Sequence, residues 1–503
     1  MAQWTLIVLA AWLAVQIVAE SNDEVFALDG DGRPVAWWFV LKLPAQVRSA
    51  TGTFMPTPCD CAPPACASPE EPLRAHGLCY LYADANNPVL RHFRDVGYDC
   101  LGQGGRDPVS QTLRQKQTAT HWGYFNDQLN GLAFMQQKSL VCGGSSSFNA
   151  HSKGMVAFEA ATGGFVLQTS TPNFPDPSSP AFVPLGCQAD NNVEYAQHLF
   201  AMSLDAAELL TLATGWQSAR LCSANHYHTL HDLLVSPSLA NASSSLPPVA
   251  QAVARALVEE RLTPSASSQK TVVTKGSPVA VSGLFKSHRA QVPPWAMAAS
   301  AYASDVSVAS WWDENFGTPT LCDGDAFGAA AESFCLRSLE GEGVHLRPDG
   351  TFPFNVENLM EASWKLPTGD VVSWSLQGGR VRDGNHGKWG LSTPRYNGRP
   401  LSIFGDLNME GFPCSKTCAG SQGGRGGCFY AIEDPRLHQS LVNLVSGVCA
   451  CGSRERAQSY VGARLCGHGC SKKLLAASNL PEPGNATRSF WSHREIDDQV
   501  ALA

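Results

Sequence analysis

Charge is scarce in this sequence: only 16% of its 503 residues are Asp, Glu, Lys or Arg. A charge-laced coiled coil and a wholly disordered chain are both excluded, since 44% of the residues are hydrophobic. Surplus positive charge is also missing. With 36 basic against 44 acidic residues the net charge is −8, which excludes a strongly basic nucleic-acid binder at neutral pH. Acid reverses the balance. Protonating all 14 histidines, with the carboxylates still ionised, moves the net charge from −8 to +6. A polyanion would then be attracted in an acidic compartment and not in the cytosol.

Long apolar runs are absent after the first twenty residues. No later window holds about 18 unbroken apolar residues, so no stable membrane association is expected of the mature chain. Trp4 to Val18 is apolar apart from Thr5 and Gln16, and Ala19 precedes the polar Glu20-Ser21-Asn22-Asp23. This run is short for a spanning helix and reads as a cleaved signal peptide over residues 1–19, with an uncleaved anchor as the alternative. The secretory pathway follows from it. Regular C-x-x-C pairs are lacking although 17 cysteines are present. Clusters such as Cys59-Asp60-Cys61, Cys449-Ala450-Cys451 and Cys466-Gly467-His468-Gly469-Cys470 therefore read as disulfides of an exported protein, not as structural zinc. The odd count leaves one cysteine free or intermolecular, and the connectivity stays open. Asn241 and Asn485 head glycosylation sequons.

The chain is too long for one simple core. The apolar run Val35 to Leu41 reads as a buried strand. Residues 50–75 and 323–353 read as inserted loops, the first rich in Pro, Cys and Ala. A helix is expected from Val249 to Leu262, after Pro247 and Pro248, with Val249, Val253 and Leu257 on one face. The compositional breaks around it place a domain boundary within 240–270, drawn at 245/246. Residues 20–245 then form an N-terminal half and 246–470 a C-terminal half. Residues 471–503 form a polar tail.

A repeat links the two halves. His151-Ser152-Lys153 recurs as His386-Gly387-Lys388, and each motif is followed by Gly at +12 (Gly163, Gly398) and Asn at +22 (Asn173, Asn408). Both copies read as hairpins, the first turning at Ala161-Thr162-Gly163-Gly164 and the second at Asn397-Gly398. A strand puts His and Lys, two apart, on one face, and the hairpin returns the Asn toward them. Two facing triads of this kind suit displacement at phosphorus. One neutral imidazole attacks, and the other, protonated, serves the leaving oxygen. The lysines and asparagines hold the non-bridging oxygens. Nothing in that scheme demands a metal or another cofactor.

The flanking residues resemble the deoxyribonuclease II family. The stretches are Asp31 to Pro44, Tyr124-Phe125-Asn126-Asp127-Gln128, His151-Ser152-Lys153-Gly154 and Ser170-Thr171-Pro172-Asn173-Phe174-Pro175. In the second half they are His386-Gly387-Lys388-Trp389 and Gly405-Asp406-Leu407-Asn408. The resemblance implies an α/β (α+β) phospholipase D-like fold of two pseudo-symmetric halves, each a central sheet flanked by helices. It implies a lysosomal or secreted acid endonuclease acting on DNA without metal. Its products are 3′-phosphates, formed through a phosphohistidine. By motif, the catalytic residues are His151, Lys153, Asn173, His386, Lys388 and Asn408, supported by Asp127, Glu159 and Asp406. Glu159 stands where the family tends to have Asp, and Ala27 where relatives begin with cysteine.

Other constellations carry less. His226, His228 and His231 do not share one strand face and lack a known ligand spacing. Gly423 to Gly427 lacks the Lys-Ser/Thr of a phosphate loop and reads as a flexible loop, with Arg425 as a contact to a DNA phosphate. No Gly-x-Ser-x-Gly supports serine hydrolysis. Trp311 and Trp312 read as core rather than as base-stacking platforms. Two rivals remain at this level: a phospholipase D-like phosphodiesterase acting on lipids, which would need an apolar groove, and a non-catalytic secreted protein that kept the fold. Oligomeric state is open.

Overall fold

The computed structural model describes residues 24–62, 76–127, 129, 149–187, 193–223, 231–241, 245–259, 266–290, 292–311, 320–324, 344–378, 382–393, 399–408, 424–451 and 464–465. The signal segment, the tail, Asn485, His226, His228, Trp312, the Asn397-Gly398 turn, the second half of the first inserted loop and most of the second lie outside these residues.

The first part of the chain carries β1 (Ala27–Leu28), β2 (Pro34–Val35), β3 (Trp37–Lys42), β4 (Gln46–Arg48), β5 (Phe54–Pro56), β6 (Tyr80–Asp84) and β7 (Arg91–His92). Next come β8 (His121–Asn126), β9 (Lys153–Glu159), β10 (Gly163–Thr169) and β11 (Gln197–Leu204). Beyond the helices Ala206–Ala219 and Pro248–Val258 lie β12 (Ser268–Val273), β13 (Ala280–Lys286), β14 (Asp305–Ala309), β15 (Val356–Lys365) and β16 (Val371–Ser375). The chain closes its core with β17 (Trp389–Thr393), β18 (Leu401–Gly405), β19 (Gly427–Glu433), β20 (Val445–Cys449) and β21 (Arg464–Leu465).

These strands make a mixed α/β fold dominated by sheet. A seven-stranded antiparallel sheet runs β7-β6-β3-β11-β10-β9-β8. A twelve-stranded sheet runs β12-β13-β19-β18-β17-β14-β15-β16-β4-β5, with β20 and β21 branching beside β15. β3 is buried along its whole length, as its unbroken apolar run requires of a strand covered on both faces. The sheets do not divide the chain at one point. β4 and β5, early in sequence, sit at the edge of the second sheet, where Arg48 pairs with Ser373 in register and bridges the buried Asp383 at 2.9 Å.

The two sheets meet across aromatic side chains. Phe404 of β18 stacks on Phe39 of β3 and Phe200 of β11, each at 4.6 Å between ring centres. Trp216, from the helix Ala206–Ala219, donates its indole N–H to the hydroxyl of Tyr430 in β19 at 2.9 Å. Offset aromatic stacking fixes relative orientation as well as burying area. A second apolar cluster, on the helix Pro294–Tyr302, holds Trp295, Met297, Ile403 and Phe429. The helix after the Pro pair runs Pro248–Val258, with Val249, Val253 and Leu257 buried as their spacing predicts.

The first inserted loop is cross-linked. Cys59–Cys79 and Cys61–Cys100 tie it to the region around β6, while Cys322–Cys451 joins the segment after β14 to the end of β20. Among the described residues Cys428 is the free cysteine, and it is buried. That burial keeps it from intermolecular pairing.

The turn of the first hairpin depends on Gly163, whose φ is +86° and where a Cβ would lie 2.0 Å from the Leu204 carbonyl oxygen. Gly163→Ala should cost roughly 3 kcal/mol through left-handed strain plus backbone collision. Gly369→Ala, also at positive φ but with nothing within 4 Å, should cost only about 1 kcal/mol. Urea denaturation of both variants checks this; equal losses would contradict the collision.

Candidate active site

Both His-x-Lys motifs lie at strand starts rather than inside strands. Lys153 is the first residue of β9, and Lys388 immediately precedes β17. The histidines therefore leave the ladder and are held by the opposite sheet's segments. The His151 N–H donates to Gly426 O at 3.0 Å, next to β19. The N–H groups of His386 and Gly387 donate to Ala196 O at 2.7 and 3.1 Å, next to β11. The hairpins form as expected: Thr169 pairs with Lys153 and Phe404 with Trp389. This register carries Asn173 and Asn408, both buried, to the same hairpin ends as the lysines. Asn173 adopts φ 55°, a left-handed conformation that Asn tolerates better than most residues. Asn408 Oδ1 is buried without a hydrogen-bond partner among the described residues.

The side chains of the two motifs are anchored reciprocally. His151 Nδ1 lies 2.8 Å from the carbonyl oxygen of Asp406, at the end of β18. His386 Nδ1 lies 3.0 Å from the carbonyl oxygen of Ser170, at the end of β10, and 3.2 Å from Gln197 Oε1. A carbonyl can only accept, so each Nδ1 carries the proton and each Nε2 is left without it. Lys153 donates to Asp127 at 2.6 Å, Arg425 donates to the same carboxylate at 2.8 Å, and His151 Nε2 lies 3.7 Å from it. Lys388 Nζ stands 3.1 and 3.2 Å from the two ring nitrogens of His386, and its backbone N–H donates to His198 Nδ1 at 3.0 Å.

Electrostatics join the motifs into one site. Burial holds the His151 imidazole well below its usual range, helped by Lys153, Arg425 and Lys388 and opposed by Asp127. Burial does the same to His386, helped by Lys388, Lys153 and His151. Each histidine thus feels a lysine of the other motif. Asp127 is desolvated, but Lys153, His151 and Arg425 outweigh that and hold its carboxyl well below the usual range. Asp406 is the reverse: burial pushes it up to about 6 despite hydrogen bonds from Ser152, Gln168 and the Cys428 N–H.

One expectation fails on placement. Glu159 ends β9, six residues from Lys153 and therefore about 20 Å along the strand; its carboxylate accepts from the Thr120 N–H at 2.7 Å. Arg425 is held in its pair with Asp127 at 2.8 Å, since a guanidinium in that interior needs a counter-ion. Asn241 is exposed.

Sequence reasoning missed the residues that orient the motifs: Ser152, Gln168, Ser170, Gln197, His198 and Asn385. His198 is fully buried, and burial with the nearby Lys388 lowers it to about 3. It is thus a neutral acceptor for Lys388. Asn385 accepts from the Gly387 N–H at 3.0 Å. A signal was present for three of them. Gln168, Gln197 and His198 interrupt β10 and β11, which are otherwise dense in buried side chains, and a polar group there must have a buried partner.

The sequence profile of the deoxyribonuclease II family, described as "Deoxyribonuclease II", matches residues 62–451. The chain belongs to that family. Its members are nucleases, enzymes that hydrolyse phosphodiester bonds, and the family implies DNA as the substrate. The match contains both His-x-Lys motifs and begins after β3, so the Asp31 to Pro44 stretch lies outside it. No single curated protein matches the chain. No described helix of this family member is long and apolar enough to cross a membrane.

Proposed function

We propose that this deoxyribonuclease II family member is an acid endodeoxyribonuclease that cleaves DNA between His151 and His386, in a phospholipase D-like pairing of halves and without a metal. The observation that carries this reading is the reciprocal anchoring. Each Nδ1 is tied to a carbonyl from the end of the other motif's hairpin, so within one charged site both Nε2 atoms are left without the ring proton, that of His386 3.2 Å from Lys388 Nζ and that of His151 3.7 Å from Asp127. His386 is the nucleophile. Among the described residues no carboxylate touches its ring, and Lys388 beside it favours the neutral form. His151 is the acid, because Asp127 stands 3.7 Å from its Nε2.

In the first step His386 Nε2 forms a bond to phosphorus and the bond to the 5′-oxygen breaks. That oxygen takes the proton from His151 Nε2. In the second step a water gives its proton to His151, its oxygen attacks phosphorus, and the bond to His386 breaks. A 3′-phosphate and a 5′-hydroxyl result. Lys153 and Lys388 supply positive charge, and Asn173 and Asn408 supply amide donors, as charge builds on the non-bridging oxygens. The apolar leader over residues 1–19 and the exposed Asn241 that heads a sequon support export, to a lysosome or the exterior, with glycosylation there and at Asn485.

The test is plasmid cleavage in EDTA from pH 4 to 8, with end-group analysis. Free imidazole titrates near ~6.5. Burial and the lysines lower both histidines, so the state holding one proton between them lies at more acid pH. Activity should peak in acid and fall toward neutrality, giving 3′-phosphate ends in the presence of chelator. Loss in EDTA restored by magnesium or zinc, or an alkaline maximum, would overturn the scheme.

A further inference from the structure

Trp311 follows β14 at the sheet position where Ala309 pairs with Trp389, next to Lys388. Its indole meets the His386 ring edge to face at 5.0 Å and the Tyr195 ring at 5.3 Å. Tyr195 adjoins Ala196, whose carbonyl holds the His386 backbone. Behind the indole runs the backbone of Gly378, where a Cβ would come within 2.6 Å of Trp311 Cδ2. Trp37, Trp38, Trp216, Trp295, Trp374 and Trp389 are all fully buried. Trp311, Tyr195 and His386 instead each keep part of their surface exposed. The expectation that Trp311 is simply core does not hold.

We propose that Trp311, braced by Tyr195, is a stacking platform for the nucleobase of a nucleotide next to the scissile phosphate. This rests on the two-histidine reading of the site. Every base offers a π-face, so an indole binds it whatever the sequence. Contacts with two rings and the Gly378 backbone hold the indole in place, so little side-chain entropy is lost on binding. Beside His386, a stacked base would position its own phosphate for attack without adding charge to a site already rich in cations.

The test uses oligodeoxynucleotides with one cleavable linkage, flanked either by normal nucleosides or by base-free tetrahydrofuran residues. Wild-type protein should show a KM about tenfold higher on the base-free substrate. Trp311→Leu should show that higher KM already on the normal substrate and little further loss when the base is removed. Trp311→Phe should recover part of the difference. The pH profile of kcat should not move in either variant, whereas a tryptophan that only props His386 would shift it. An undiminished penalty for base removal in Trp311→Leu, or a fall in kcat with a displaced pH profile, would overturn the platform. Absence of cleavage by the wild type on every substrate would instead overturn the nuclease mechanism on which it rests.

Discussion

His386→Ala should lower DNA cleavage by roughly 10⁴-fold or more, and it should lose an activated phosphodiester, such as a p-nitrophenyl ester, equally. The attacking atom is gone in both cases. His151→Ala should lose roughly 10²- to 10⁴-fold on DNA, whose 5′-alkoxide needs a proton. It should recover much of that loss on the p-nitrophenyl ester, whose leaving group needs none. Because the residues act as a unit, the double variant should be little worse on DNA than His386→Ala alone. The measurement is steady-state turnover on both substrates, with mass spectrometry of rapidly quenched His151→Ala for an acid-labile phosphoryl group on His386. The opposite pattern, recovery in His386→Ala and an adduct on His151, would reverse the assignment that Asp127 dictates.

Asp127→Ala should cost about 3–5 kcal/mol of folding stability, since it leaves Lys153 and Arg425 buried without their counter-ion. The pH dependence follows from the depressed carboxyl. Its folded pKa lies below the unfolded value of ~3.9, so its contribution is present above that value and lost as pH falls below it. Urea denaturation should therefore give the same difference from wild type at pH 5 and pH 7, shrinking below pH 4. A difference under about 1 kcal/mol at pH 5 would mean that the pairings barely offset their desolvation. Asp406 and Asp107, the buried residue that caps the helix Pro108–Arg114, act in the opposite sense. Burial raises each to about 6, so their contribution is fully present below the unfolded value and is lost as pH rises through 6. Between about pH 4 and 6 the ion network at Asp127 is therefore intact while those two carboxyls still contribute in part.

The motifs were legible in sequence because local pattern specifies them. The spacing His, Lys at +2 and Asn at +22 describes one hairpin, and β9–β10 and β17–β18 form as that spacing requires. The buried β3 and the helix after Pro247 were equally local, set by an apolar run and by a repeat of four. Glu159 was misplaced because motif analogy fixes a distance along the chain, and a straight strand converts six residues into about 20 Å. The pairing of Arg425 was not legible for another reason. A glycine-rich surrounding says nothing about burial, and its partner Asp127 lies 298 residues away.

Local pattern specifies that the His, Lys and Asn residues come in two matched sets, and which strands follow each lysine. Those properties depend on periodicity and turn chemistry within a few tens of residues. How the two sets are oriented toward each other depends on the packing of the sheets. The proton position on each imidazole is set by a carbonyl 255 residues from His151 and another 216 residues from His386. The difference between the two histidines is set by one buried carboxylate, and the partly exposed ring beside His386 by where β14 ends against β17. Hydrogen-bond direction, burial and local field are properties of what lies across a gap in space, and nothing in the spacing of residues along a chain encodes them.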